Sequence, residues 1–313
     1  MVEHALRTAG DTDTILVIGA QGQLGMELRR SLSLLGRVVA VGRDTCDLSS
    51  AEQVVATMRS VKPRVVINAG GYTAVDAAET NAGEANAINA IAPGLLATEA
   101  KALGGLLVHY STDYVFDGTG DEAYLEDDLT SPLSVYGRSK LDGEHAVREA
   151  DAAHWIFRTS WVFGLHGANF LKSIVRAART RDSLSVVADQ IGAPTPASLL
   201  AEVTALAVHR YLDDAQPMSY GVYHVAAAGE TSWHAYARHV VEMLVRAGVA
   251  LSVSPERVMP ITAADYGSAA ARPANSRLDT SKLRAALNLT LPDWREGVDR
   301  VLAELVEGQR LLG

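Results

Sequence analysis

Cysteine is nearly absent from this chain of 313 residues: Cys46 stands alone. A single thiol closes no intrachain disulfide and is too few for a thiolate metal site. Long apolar runs are missing as well. No stretch approaches the ~20 apolar residues of a membrane span, and residues 1–13 lack the apolar core of a signal peptide. Positive charge is in deficit, with 28 Lys and Arg against 37 Asp and Glu and a net charge of −9. The basic residues are scattered singly, so neither nucleic acid nor an acidic membrane surface meets the local cationic field it needs. A small anionic ligand stays open, because a helix N-terminus and one or two arginines can hold it. Internal repeats and low-complexity tracts are lacking too. What remains is a globular chain, with 48% apolar and 21% charged residues, and a reducing cytoplasm is the expected compartment.

The length predicts one large domain or two moderate ones. Residues 1–13 read as a polar, flexible leader. From residue 14 a short apolar run, Thr14, Ile15, Leu16, Val17 and Ile18, ends in glycine, as a buried parallel strand does. Leu24, Leu28, Leu32 and Leu35 then recur at helical spacing up to Gly36. A strand at 38–41, a helix at 51–60 closed by Pro63, a strand at 65–67, a helix over 84–103 and a strand at 106–110 follow. Such strand–helix alternation predicts an α/β fold: a Rossmann-type doubly wound parallel sheet covered on both faces. Beyond residues 155–161 the rhythm breaks, as Pro194, Pro196, Pro217, Pro255, Pro260 and Pro273 interrupt shorter elements. The expected division is therefore a dinucleotide-binding domain over 14–165 and a smaller mixed α/β substrate-binding domain over 166–313. Part of the second is expected to return to the first sheet, with a ligand cleft between them.

Three glycines, Gly19, Gly22 and Gly25, sit between the first strand and the first helix, interleaved with Gln21, Gln23 and Leu24. They permit a tight turn, let backbone approach a pyrophosphate and aim a helix N-terminus at it; alternatively they are only a tight βα turn. After the second strand, Arg43 reads either as a contact to a 2′-phosphate or as an exposed arginine. Asp47, beside Leu48, reads either as a partner for the adenine amino group or as a helix cap. Tyr136 and Lys140 are four apart, so on a helix they share a face. An ammonium beside a phenol is expected to lower its pKa towards working pH, as general acid–base work requires. Thr112, after Ser111 at a strand end, brings a hydroxyl that can hydrogen-bond a substrate carbonyl or the phenol; a solvated lysine on an amphipathic helix is the bland alternative.

The chain resembles the extended short-chain dehydrogenase/reductases, and more narrowly their dTDP-4-dehydrorhamnose reductase branch, from residue 15 to about residue 294. Besides the glycine loop, the resemblance rests on Asn-Ala-Gly-Gly-Tyr-Thr-Ala-Val-Asp at 68–76, Tyr-Ser-Thr-Asp-Tyr-Val-Phe-Asp-Gly at 110–118 and Pro-Leu-Ser-Val-Tyr-Gly-Arg-Ser-Lys at 132–140. Further on it rests on Arg-Thr-Ser-Trp-Val-Phe at 158–163, Asp-Gln-Ile-Gly-Ala-Pro-Thr at 189–195 and Arg-Pro-Ala-Asn-Ser-Arg-Leu-Asp at 272–279. It implies that NADPH or NADH reduces the C4 keto group of a dTDP-linked keto sugar to give dTDP-L-rhamnose. Tyr136 is then the proton donor, Lys140 binds the nicotinamide ribose and tunes Tyr136, and Thr112 assists. Ala69, Gly70, Gly71, Tyr72 and Thr73 lie against the cofactor. Thr112, Asp113, Tyr136, Trp161, Arg272 and Asn275 meet the substrate, Arg272 at its diphosphate. Core packing is the alternative for Trp161, and a surface salt bridge for Arg272.

The same resemblance raises a magnesium-bridged dimer, described for some members, in which Glu27 matches one acidic position. Ser198 stands where a second glutamate is expected, and the nine histidines, His145, His154 and His166 among them, lack ligand spacing. No metal site is therefore expected, and a monomer or weak homodimer is. Two competing functions follow from the same fold: a reductase or epimerase of another nucleotide-linked keto sugar, and a dinucleotide-binding regulatory subunit without turnover.

Overall fold

The inner strands that carry the site are mostly apolar and buried on both faces, whereas the edge strand at residues 37–41 is half exposed. In the computed structural model, which describes residues 13–213 and 218–312, β1 spans Thr14–Ile18, β2 Arg37–Val41, β3 Val65–Asn68, β4 Leu106–Thr112 and β5 Ala153–Thr159. The expected leader lies outside the described residues, Asp13 excepted. All neighbouring strands pair in parallel, in the order β2–β1–β3–β4–β5, and the strand Gly221–His224 adds to the outer edge of β5. Alternation along β1 splits the core in two: Ile15 and Val17 belong to one apolar cluster, Leu16 and Ile18 to the other. The sheet is thus the doubly wound kind.

Chain direction reverses at β1, with β2 on one flank and β3 on the other. At such a switch point the connections leave in opposite directions, opening a crevice at the carboxyl ends of the strands. The candidate site gathers there.

Two helices depart from the sequence pattern. α1, Gln23–Ser31, stops short of the leucine spacing: the Ser33 hydroxyl takes the Arg30 carbonyl at 2.7 Å, and Leu34 is exposed. The single helix expected over 84–103 is an α-helical turn, Ala82–Asn86, a π-helical turn, Ala87–Ile91, and an α-helix, Ala92–Ala102. Pro93 has no N–H to give the Asn89 carbonyl, and a widened turn accommodates that missing bond. Past β5 the chain forms two-residue to four-residue ladders, such as Thr231–Ser232 against Ile191–Gly192 and Val258–Ile261 against Leu184–Val187. The longer helices Phe170–Thr180, Ala197–Leu212, Trp233–Arg246 and Trp294–Leu312 stand between them.

Candidate active site

A cleft of about 720 Å³ follows the carboxyl ends of the strands, from Gly42 and Arg43 beyond β2 to Thr159 and Trp161 at β5. Its middle is the glycine loop. Gly19 has a φ of +79°, and a Cβ there would lie 2.6 Å from the Gly70 nitrogen, so the loop presses on the end of β3 without room for a side chain. Gly22 caps α1 with no side-chain hydrogen bond, and no acidic residue occupies the first turn. The free N–H groups there face the cleft with Gln21, Gln23 and Leu24 on its wall. Gly25 does not line it. A Cβ at that position would sit 2.1 Å from the Gly19 carbonyl oxygen, so its smallness lets α1 close on β1.

Arg43 is exposed, lines the cleft and makes no hydrogen bond or salt bridge among the described residues. The Asp47 carboxylate accepts from the Ser49 N–H at 2.9 Å, and that bond holds its pKa below the usual range. Asp47 is thus a turn cap that also lines the cleft, and Leu48 packs over Gly70. Ala69, Gly70, Gly71 and Thr73 line the wall, but Tyr72 does not. Its backbone N–H donates to Asn89 Oδ1 at 2.8 Å and its hydroxyl accepts from Asn81, which turns it away.

The reacting groups come from β4 and from the helix Val135–Glu149. Ser134 starts that helix by accepting from the Gly137 N–H at 3.1 Å, which places Tyr136 in the first turn and Lys140 in the second. Both line the cleft. Lys140 is buried and donates from Nζ to the Tyr110 carbonyl oxygen. Burial pulls its pKa down to about 8, against the opposing pull of the Glu144 carboxylate. The Tyr136 phenol is pushed up to about 12 by burial; the Thr112 hydroxyl draws it back, and Asp113 pushes it further. The expected lowering by Lys140 is therefore not found: burial of the phenol outweighs it, and one N–H of the ammonium is directed to a backbone carbonyl. Asp113, also buried, rises to about 6 by burial, against the hydroxyls of Ser276 and Thr112. Tyr114 meets the Tyr136 ring edge-on, with centroids 5.5 Å apart.

Trp161 has left-handed backbone, φ +47°, a strained choice for an indole. It lines the cleft and stacks on Trp233 at 3.6 Å between centroids, 16° from parallel. Trp233 and Asn169 are cleft residues that sequence reasoning missed. Asn169 caps the helix Phe170–Thr180 and also donates to Gln23 Oε1 at 2.8 Å, closing the loop before that helix over the glycine turn. Only a helix-cap signal marks it locally; its partner is 146 residues away.

Two of the expected substrate contacts, Arg272 and Asn275, are not on the wall of this cleft. Arg272 forms a bidentate pair with Asp76, at 2.8 and 3.2 Å, and is absent from the cleft wall. Asn275 is buried, donating to the Gly120 and Glu122 carbonyls at 2.8 and 2.6 Å and accepting from Arg277, so it pins a loop. Among the described residues no three His, Cys, Asp or Glu side chains form a metal-ligand group. Glu27 faces Arg30 at 3.3 Å, and Ser198 lies in the helix Ala197–Leu212. No described helix is long and apolar enough to cross a membrane.

The chain is similar to known proteins along most of its length. The family model for the RmlD substrate binding domain matches residues 13–307. The chain is 46% identical over 295 residues to the dTDP-4-dehydrorhamnose reductase of Escherichia coli K12, covering 93% of this chain and 97% of that one. It is 45% identical over 294 residues to the enzyme of the same name from Burkholderia thailandensis, covering 93% and 99%. Among solved structures, a Bacillus anthracis dTDP-4-dehydrorhamnose reductase in complex with NADP superposes with a TM-score of 0.83 at 33% identity, covering 94% of this chain and all of that one.

Proposed function

The chain belongs to the dTDP-4-dehydrorhamnose reductase family, and from that premise we propose that it reduces the C4 keto group of dTDP-4-dehydrorhamnose to give dTDP-L-rhamnose with NADPH or NADH. The observation that carries the reading is that the glycine loop, Tyr136, Lys140 and Thr112 open on one cleft. The residues fit a dinucleotide. An uncapped helix N-terminus meets a pyrophosphate, and glycines leave the backbone bare beside it. Asp47 and Leu48 take the adenine side. Arg43, unpaired among the described residues, suits a 2′-phosphate, which favours NADPH. Lys140 takes the ribose hydroxyls. Bound there in reduced form, the nicotinamide dinucleotide supplies the hydride.

This chain's own residues handle the proton. With its pKa near 12 the Tyr136 phenol is protonated at neutral pH, so it can donate to the oxygen of a sugar carbonyl as that oxygen gains charge. Thr112 hydrogen-bonds the same oxygen, and the Lys140 ammonium, one turn along the same helix face, stabilises the phenolate left behind. Asp113 accepts from a sugar hydroxyl, and Trp161 bounds the pocket for the nucleotide sugar.

The assay is oxidation of NADPH and of NADH by the dTDP-linked keto sugar, with UDP- and GDP-linked counterparts beside it. Turnover with the dTDP sugar and product identified as dTDP-L-rhamnose is expected. Preference for another nucleotide moves the function to another sugar, and tight NADPH binding without any turnover replaces the enzyme by a binding protein. A pH profile adds a second check. Lys140 acts charged, and its charge is lost as pH rises through about 8, so kcat/KM falls about tenfold per unit above that pH. A profile flat to pH 10 removes Lys140 from the mechanism.

A further inference from the structure

We propose that Thr159 orients the nicotinamide ring, its hydroxyl hydrogen-bonding the ring's carboxamide; the inference rests on the dinucleotide reading above. Thr159 ends β5, in register with Thr112, and is 7% exposed. Its Oγ1 is buried, has no hydrogen-bond partner among the described residues, and belongs to a residue that lines the cleft. Its neighbours are differently placed. Arg158 is paired with Glu144, and the Ser160 hydroxyl donates to the Ala193 carbonyl at 3.3 Å. Valine would fill the same β-branched volume without an orphaned oxygen. A buried hydroxyl left unpaired beside a cavity therefore points to a ligand that supplies the missing partner.

Position along the sheet says which part of the ligand that is. Strands lie about 4.8 Å apart, so β2 to β5 spans four gaps, about 19 Å. A dinucleotide with its pyrophosphate on the glycine loop after β1 and its first ribose towards Arg43 after β2 carries its second base towards β4 and β5. The polar substituent of that base is an amide, both donor and acceptor, and a threonine hydroxyl can answer either. Ser111 Oγ, also buried without a partner among the described residues, lies on β4, one strand nearer the glycine loop, where a ribose comes before the base. The sugar substrate approaches beside Asp113, Tyr136 and Trp161. A ring held by its amide at Thr159 presents one face to that substrate.

The test compares binding of NADPH with binding of 2′-phospho-ADP-ribose, which lacks the nicotinamide, by tryptophan fluorescence titration. Thr159→Val is expected to weaken NADPH about 3- to 10-fold and to leave 2′-phospho-ADP-ribose within about twofold, while Thr159→Ser keeps NADPH near wild type. Thr159→Val is also expected to transfer a measurable share of hydride from the opposite face of C4 when stereospecifically deuterated NADPH is used. Unchanged NADPH binding in Thr159→Val, or equal loss for both ligands, overturns the inference and leaves the dinucleotide reading standing. Wild-type protein that binds neither ligand overturns both.

Discussion

Tyr136→Phe is expected to lower kcat by about 10²–10⁴-fold, the range that a positioned proton donor supplies, while KM, NADPH affinity and Tm stay close to wild type. The change removes one oxygen and keeps the ring. Its edge-on contact with Tyr114, 5.5 Å between centroids, survives, and so does the helix cap at Ser134. The lost interaction belongs to the transition state, because a keto oxygen has little need of a proton until charge builds on it; the loss therefore falls on kcat rather than on binding. No other described hydroxyl on the cleft wall shares the Tyr136 position on that helix face to replace the donor. Single-turnover oxidation of NADPH by Tyr136→Phe measures it, and a rate within about tenfold of wild type removes Tyr136 as the proton donor.

The parallel sheet was legible because its strands are short apolar runs separated by helices, and that pattern is local. Gly19, Gly22, Thr112, Tyr136 and Lys140 were legible for the same reason: each sits a fixed distance from a strand end or a neighbouring helical turn. Gly25, Tyr72, Arg272 and Asn275 carry recognisable motif positions too, yet the structure turns them to packing, to Asn89, to Asp76 and to a loop. Motif membership does not reveal which way a side chain faces when its partner is distant in sequence. Trp233 and Asn169 failed in the opposite sense. They reach the cleft through a stack on Trp161 and a bond to Gln23, contacts that no local pattern encodes. The Tyr136 phenol rises instead of falling because burial outweighs its neighbours, a balance set by packing that spacing alone does not encode, and the Lys140 ammonium donates to the Tyr110 carbonyl.

Breaking the buried pair behind Lys140 is expected to have the largest effect on stability. Arg158 Nε and Nη2 donate to the two Glu144 oxygens at 2.8 and 2.7 Å, with both side chains almost wholly buried. Arg158 Nη1 also holds the Glu126 carbonyl at 3.1 Å, and the guanidinium covers the Phe116 ring. Arg158→Met leaves the buried Glu144 carboxylate with only the longer contact from Arg148, at 3.4 Å, and is expected to cost about 3–5 kcal/mol, a fall in Tm of about 5–8 °C by thermal denaturation. A loss below about 1 kcal/mol shows that the pair is solvated. The same pair reaches the chemistry. Glu144 lies one turn beyond Lys140, and its charge lifts the ammonium's pKa against burial. Glu144→Gln therefore lowers that pKa, and the alkaline limb of kcat/KM moves to lower pH than in wild type. Replacing both partners by apolar residues of similar volume restores much of the stability, since neither charge is then left unpaired. It does not return the limb, because the carboxylate that supported Lys140 is still gone. Separating those two readouts distinguishes a brace for the fold from a setting of the lysine's charge, and the geometry assigns Glu144 to both.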